Sequence, residues 1–369
     1  MKGKLFVLLI FITIDFFTWN ILIKIGLSVL GLWTSISFRG GLIIRRQEFQ
    51  FSRTNLLILS HMRSGSSFLG QIFNHRDDVF FVYEPFYVLR STTLAYSSFY
   101  ESSALRLLND ILSCSFESQE EFLNFLTNLP HRRYSSRALT LPYCTFNHTS
   151  RVTGKKKYIC RALEPKFTSQ VCLAHKHRVI KLLSHRIPNF TVNFFKPLIL
   201  SFNVKILHLV RDPRAIIASM ETVGWVPSYI KTSNQKSSVN TFKSRVKRFC
   251  KSMVDMVKFM LEAEKSLSEK YKLLRYEDLV DDITKSAHDI MTFAGFQSSD
   301  DFLIWLQKST HGAIETDFRR GDYHYTTNRN NISTLVQSWR YKLKANQILI
   351  VEKYCKHAMT ILNYPTVFS

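Results

Sequence analysis

An α/β domain with a mainly parallel sheet is what this sequence predicts, and three features predict it. Short apolar runs recur along the 369 residues, each run ends at a polar turn, and a segment of helical spacing follows the turn. Continuous apolar runs suit strands buried on both faces, and strand–loop–helix alternation covers such a sheet with helices in three layers. No internal repeat or low-complexity tract competes with that arrangement.

The first run, Asn55 to Ser60, passes straight into His61-Met-Arg-Ser-Gly-Ser-Ser67 and then into Phe68-Leu-Gly-Gln-Ile-Phe73, which has helical spacing. A second run, Val79 to Tyr83, ends at Glu84-Pro85. Residues 101–129 read as helical, and 130–176 as an irregular, basic stretch holding three of the six cysteines. Strands return at Arg178–Leu183 and, most clearly, at Val204–Val210, which enters Arg211-Asp-Pro-Arg214 and a helix through Met220. A polar loop (222–238), a long helix with a basic face (239–269) and a strand from Tyr271 to Tyr276 follow. The next helix closes at Gly295, a residue suited to the left-handed position after a helix end. Helices at about 300–309 and 344–362 flank a segment (311–334) rich in Gly, Asn, Arg and Thr.

Composition bounds the function. Lysine and arginine total 50 against 28 acidic residues, a formal net charge of +22, and such a field attracts nucleic acid, acidic membranes, or anionic glycans and nucleotides. Hydrophobic residues make up 46% of the chain, enough for a substantial core. The cysteines at 114, 144, 160, 172, 250 and 355 form no CxxC pair and no zinc-type cluster, so no metal is expected. Their even number suits disulfides in an oxidising compartment without fixing the pairing.

The N-terminus points to that compartment. Lys2 and Lys4 precede a run from Leu5 to Ile23, long enough to span a bilayer and oriented with its N-terminus cytoplasmic. Asp15 opposes a spanning helix, since a carboxylate at mid-membrane costs roughly 2.5–3.5 kcal/mol. A cleaved signal peptide is the competing reading, but no small-x-small cleavage site follows the run. A retained anchor at 5–23 and a stem at 24–52 are therefore expected, with the domain beginning at 53. Sequons at Asn147, Asn189 and Asn331 agree with a luminal domain. A luminal place also removes nucleic acid as a partner.

Two strand ends are built for anions. In Arg63-Ser64-Gly65-Ser66-Ser67, Gly65 permits a tight turn and the amides at the helix N-terminus form a nest, with two hydroxyls and a guanidinium beside them. The mechanics are P-loop-like, but GxxxxGK[ST] is absent, which excludes an ordinary nucleotide kinase. At the second end, Asp212 is placed to cap a helix whose first residue is Pro213, and Ser219 falls on the same helix face. Arg211 and Ser219 can then grip one phosphate from two directions.

Together, Arg63-Ser-Gly-Ser-Ser67 and Leu209-Val-Arg-Asp-Pro-Arg-Ala215…Ser219 resemble the 5′-phosphosulfate and 3′-phosphate motifs of Golgi carbohydrate sulfotransferases. The resemblance is greatest to the galactose, N-acetylgalactosamine and N-acetylglucosamine 6-O-sulfotransferases. It extends through Tyr83-Glu-Pro85, Leu274-Arg-Tyr-Glu-Asp-Leu279, Arg329-Asn330, Trp339-Arg340 and Cys355, in family order over roughly 54–364. The middle, from about 90 to 175, matches no one member, and Asn363-Tyr364 stands where the family often has Gly-Tyr.

The resemblance implies a sulfotransferase fold and a sulfuryl donor, 3′-phosphoadenylyl sulfate (PAPS), with no metal. It implies that Arg63, Ser64, Gly65, Ser66 and Ser67 cradle the phosphosulfate, that Arg211 and Ser219 hold the 3′-phosphate, and that Arg329 and Asn330 close over the nucleotide. Glu84 is the expected base, its pKa raised by partial desolvation, with His61 as the rival. Lys181 is expected to contact sulfate or acceptor, and Glu277 and Asp278 match the family but also suit helix caps. Disulfides at Cys250 and Cys355 are implied without partners. The acceptor implied is an anionic or neutral glycan met at the Golgi membrane. A non-catalytic glycan-binding protein and a protein-tyrosine sulfotransferase are the alternatives.

Overall fold

The computed structural model describes residues 53–91, 98–149, 156–226, 235–297, 300–311 and 334–368. The expected membrane span and stem lie outside these residues, as do Arg329, Asn330 and the sequon at Asn331. Among the described residues no helix is long and apolar enough to cross a membrane.

The strands are β1 (Asn55–Ser60), β2 (Val79–Tyr83), β3 (Cys144–Thr149), β4 (Lys156–Cys160), β5 (His177–Leu183), β6 (Val204–Val210) and β7 (Tyr271–Arg275). Five of them form one sheet in the order β2-β5-β1-β6-β7, parallel throughout. The first half of the chain supplies α1 (Ser66–Asn74), α2 (Phe86–Ser91), α3 (Tyr100–Ser113), α4 (Glu120–Asn128), α5 (Pro165–Ala174) and α6 (Val192–Phe202). The second half supplies α7 (Pro213–Thr222), α8 (Gln235–Leu267), α9 (Tyr276–Asp281), α10 (Ile283–Ala294), α11 (Asp300–His311) and α12 (Ala345–Ile361).

The period-2 rule of strands divides the core in two. Leu57, Leu59, Phe80, Val82, Ile180 and Leu182 point to one face and pack with α3, α6, α7, α8 and α12. Leu56, Ile58, Phe81, Val179, Leu207 and Leu209 point to the other and pack with α1, α9, α10 and α11. Both sheet faces are thus buried under helices, which is why the strands read as unbroken apolar runs. Gly295 closes α10 in the left-handed conformation (φ 77°), as its position predicts.

Two segments depart from the sequence reading. The helical stretch at 101–129 is two helices, because Cys114 takes a left-handed conformation (φ 60°) and ends α3. The stretch at 130–176 is not irregular: it holds the antiparallel β3–β4 hairpin and α5. The hairpin lies outside the main sheet and lacks clean alternation, with Ile159 of β4 largely exposed, so no period-2 signal announced it. Cross-links compensate. Cys144–Cys160 ties the hairpin together, Cys114–Cys172 ties α3 to α5, and Cys250–Cys355 ties α8 to α12. The last closes a sequence separation of 105, and a loop of that size is worth about 4–5 kcal/mol in the chain-entropy account.

Candidate active site

In an open parallel sheet, ligands bind beyond the carboxyl ends of the strands, where the strand order reverses direction. Here β1 is central, with β5 and β6 on its two sides, so the residues after β1 and β6 emerge next to each other.

After β1 the chain turns sharply at Arg63 (φ 65°) and Gly65 (φ 90°), and Gly65 becomes the N-cap of α1. A side chain at Gly65 is excluded: a Cβ there would stand 2.3 Å from Cε2 of Tyr276. The ring of Tyr276, at the start of α9, thereby presses the turn into shape. Ser64 and Ser66 are buried, and the Ser64 hydroxyl has no hydrogen-bond partner among the described residues. Ser67 Oγ lies 3.1 Å from the Tyr83 hydroxyl.

After β6, Asp212 caps α7 as expected, accepting from the Arg214 amide at 2.8 Å with Pro213 in the first turn. Arg214 is committed elsewhere, to Asp212 (2.7 Å) and to Glu352 of α12 (2.6 Å). That leaves Arg211 as the arginine of this motif aimed at the first loop. Its Nη1 donates to the Arg63 carbonyl at 3.1 Å, and its guanidinium lies 4.3 Å from the centre of the Tyr276 ring. Arg63 Nε in turn donates to Ser219 Oγ on α7 at 3.0 Å. The two motifs are therefore one cluster: two guanidiniums, a serine hydroxyl and the open N-terminus of α1. Trp225, 40% exposed, lies 5.7 Å from the Arg63 guanidinium.

The second cluster sits one strand over, where Tyr83 of β2 is in register with Lys181 of β5. Glu84 follows β2 in a left-handed conformation (φ 49°), so both Arg63 and Glu84 carry backbone strain of the kind held at functional sites. Glu84 is buried and ionically bonded to Lys181, to Arg186 at 2.6 Å and to Arg132 at 2.6 Å. Burial pushes its pKa up, but Lys181, Arg186 and Arg132 pull it down further, to well below the usual carboxylate range. This corrects the expectation that desolvation raises the carboxyl towards a working value. Lys181 lies inside β5, its ammonium 4.2 Å from the Tyr83 ring centre.

His61, the rival base, is a packed histidine. Its ring nitrogens lie 3.4 Å from the Ser252 carbonyl and 3.2 Å from Ser184 Oγ, and burial lowers its pKa to about 4. Glu277 accepts from the Asp212 amide (3.0 Å) and the Tyr364 hydroxyl (2.8 Å), which ties the ends of β6 and β7 to the C-terminal segment. Asp278, beside it, stands in the first turn of α9.

The structure thus joins Arg63, Ser64, Gly65, Ser66, Ser67, Arg211 and Ser219 in one place and Glu84 with Lys181 in another. Sequence reasoning missed Arg132, Arg186 and Tyr87, and it quoted Tyr83 and Tyr276 within motifs without giving them a role. Arg132 lies in the single helical turn Pro130–Arg133 and Arg186 in a turn just after β5, and basic residues in such turns carry no local pattern.

Comparison with known proteins gives the family. The sulfotransferase domain matches residues 53–363. Mouse carbohydrate sulfotransferase 1 is 30% identical over 338 residues, covering 85% of this chain and 79% of its own length. Human carbohydrate sulfotransferase 5 is 28% identical over 332 residues, covering 86% of this chain and 79% of its own. A mouse sulfotransferase crystallised with PAP aligns over 89% of this chain and 98% of its own, at 10% identity and a TM-score of 0.40. The chain belongs to the sulfotransferase domain family, in its carbohydrate sulfotransferase branch.

Proposed function

We propose that this sulfotransferase moves the sulfuryl group of PAPS onto a glycan hydroxyl, the primary 6-OH of galactose, N-acetylgalactosamine or N-acetylglucosamine. The observation that carries the donor assignment is the joining of two anion-ready strand ends through Arg63, Ser219 and Arg211. The α1 N-terminus with Arg63, Ser64, Ser66 and Ser67 suits the phosphosulfate, and Arg211 with Ser219 suits the 3′-phosphate. The carbohydrate acceptor is carried over from the relatives, which are carbohydrate sulfotransferases. Arg329 and Asn330, outside the described residues, are assigned to closure over the nucleotide by their place in the motif order.

The acceptor oxygen attacks sulfur, the bond from sulfur to the bridging phosphate oxygen breaks, and PAP leaves with that electron pair. Arg63 and the loop amides stabilise charge growing on the bridging oxygen. The hydroxyl proton goes to Glu84. A carboxylate held by three cations is a weak base, so substrate must change its surroundings first. Sulfuryl oxygens arriving beside Lys181 draw that ammonium from Glu84, and the carboxylate regains basicity as its partners turn to other anions.

The apolar run at 5–23 supports a single-pass type II anchor in the Golgi membrane, with a tail at 1–4, a stem at 24–52 and the catalytic domain from 53 to 369 in the lumen. Three disulfides suit that oxidising compartment. The test is incubation of the purified chain with PAPS carrying radiolabelled sulfate and a panel of chondroitin, desulfated keratan, N-acetylglucosamine-terminated oligosaccharides and a tyrosine peptide. Label on a sugar C6 is the expected result. Label confined to the peptide sinks the carbohydrate assignment while sparing the donor site.

A further inference from the structure

The cluster around Glu84 holds more positive charge than it needs. Lys181, Arg132 and Arg186 converge on one carboxylate, which leaves two cations in surplus, with side chains only 2%, 17% and 11% exposed. Surplus buried charge is costly unless an anion completes it. The donor does not need all three. Its phosphates have Arg63, Arg211, Ser219 and the α1 amides, and Lys181 is the innermost cation, on the side of Tyr83 and Ser67.

Lys181 bonds Glu84 Oε1, and the Arg132 guanidinium also lies 5.7 Å from the centre of the Tyr83 ring. Arg132 and Arg186 both donate to the same oxygen, Glu84 Oε2, and they flank the ring of Tyr87 on α2 at 4.0 Å and 4.8 Å. Nε of Arg132 is buried with no hydrogen-bond partner among the described residues, so one arm of its fork remains to be used. Arg90, one turn along α2 from Tyr87, is exposed and donates to the His185 carbonyl at 3.4 Å, so the positive edge continues outward. An arginine fork beside an aromatic ring matches a planar carboxylate or a sulfate attached to a sugar, whose ring can lie against the tyrosine.

We infer that Arg132 and Arg186 form an oxyanion subsite for the acceptor, which must carry a sulfate or carboxylate on a sugar near the hydroxyl being sulfated. The inference rests on the glycan sulfation proposed above and narrows its substrate from any glycan to an already acidic one. An acidic acceptor also draws two of the three cations from Glu84, so the correct substrate makes its own base stronger.

The experiment compares three acceptors of equal length: a neutral galactose–N-acetylglucosamine oligosaccharide, its sulfated counterpart and a uronic-acid-containing oligosaccharide. Each is assayed with the native chain, Arg132→Gln and Arg132→Lys, and PAP binding and thermal unfolding are measured in parallel. The native chain should favour at least one acidic acceptor by tenfold or more in kcat/KM, and the two acidic arms show whether sulfate or carboxylate is read. In Arg132→Gln that preference should fall towards one, with partial rescue in Arg132→Lys. Equal rates on neutral and acidic acceptors overturn the subsite, as does a preference that survives Arg132→Gln. So does a loss of PAP binding in Arg132→Gln as large as the loss of acceptor preference, since that places the arginine on the donor. Transfer to no glycan, with PAP bound, defeats the sulfation reading instead. Calorimetric titration of the acidic oligosaccharides into the PAP complex then still decides the subsite, by whether binding depends on Arg132.

Discussion

The carboxyl edge of the sheet carries two clusters of cations that are held in opposite ways. Beyond β1 and β6, Arg63 and Arg211 are positioned through a serine hydroxyl, a backbone carbonyl and the Tyr276 ring. Beyond β2 and β5, three cations are bonded directly to the Glu84 carboxylate. The first arrangement fixes its guanidiniums against a hydroxyl, a carbonyl and a ring, beside the N-terminus of α1, and that geometry is preorganised for an anion. The second stores its charge in ion pairs and releases it only when a better anion competes. On the proposed function, the difference assigns one end to fixing the donor and the other to responding to the substrate. His61, bonded towards Ser184 after β5 and lying directly after β1, stands between them.

At the preorganised end, breaking Arg63 should have the largest effect. Arg63→Ala removes a donor tied to both Ser219 and the loop, and kcat/KM for PAPS should fall by about 10²–10³-fold, the usual loss for one oxyanion-stabilising donor. Steady-state kinetics check this, and a loss under tenfold would mean that the loop amides do the work alone.

The second effect, on stability, is a matter of pH. Burial lowers the pKa of His61 to about 4 and of His208 to about 3, from an ordinary 6.5. Below pH 6.5 the unfolded chain takes up protons that the folded chain refuses, so stability falls with acid, through about pH 4 for His61. At 1.36 kcal/mol per unit, His61 alone accounts for on the order of 3 kcal/mol. The Glu84 pKa is lowered as well, but for a carboxylate a lowered pKa is a stabilising contribution of the charged form. Its contribution is complete above the ordinary carboxylate pKa and is lost only in strong acid, so it is silent between pH 7 and 5. Urea midpoints should therefore drop between pH 7 and 5, and the drop should shrink in His61→Gln.

A smaller loss is expected at the turn. Gly65→Ala forces a Cβ into the Tyr276 ring at a left-handed position, a conformation that alone costs roughly 1–2 kcal/mol in an L-residue. PAP affinity should fall by about tenfold or more, measured by calorimetry. The smallest is Ser219→Ala, which removes the hydroxyl that accepts from the Arg63 guanidinium but leaves both arginines in place, and it should weaken PAP by about three- to tenfold.

The two ends also differ in how far they could be read in the sequence. The donor end is local: a strand, a turn glycine and a helix start occur within Asn55–Phe73, and a strand and a capped, proline-started helix within Val204–Met220. Local backbone chemistry writes both, and the structure joins them. The five sheet strands were legible for the same reason, since strands buried on both faces must be apolar throughout. Glu84 and Lys181 were visible as residues, but not the pull on Glu84, because Arg132 and Arg186 approach it from 48 and 102 residues away in the chain. The same holds for the hairpin β3–β4, whose two strands are tied by Cys144–Cys160. What depends on convergence of distant polar side chains leaves no periodic trace.

The division of labour is tested most directly by a double dissociation in one preparation, measuring PAP affinity and kcat for Glu84→Gln and Arg211→Ala. Glu84→Gln should lose about 10²–10⁴-fold in kcat, the usual contribution of a general base, while PAP binds within a few-fold of native. Arg211→Ala should lose ten- to a hundredfold in PAP affinity, as for one charged hydrogen-bonding group worth about 1.5–3 kcal/mol, with a smaller loss in kcat at saturating donor. If Glu84→Gln keeps kcat within tenfold, or if both variants lose PAP binding and turnover in proportion, the two ends are one undivided site and the account is wrong.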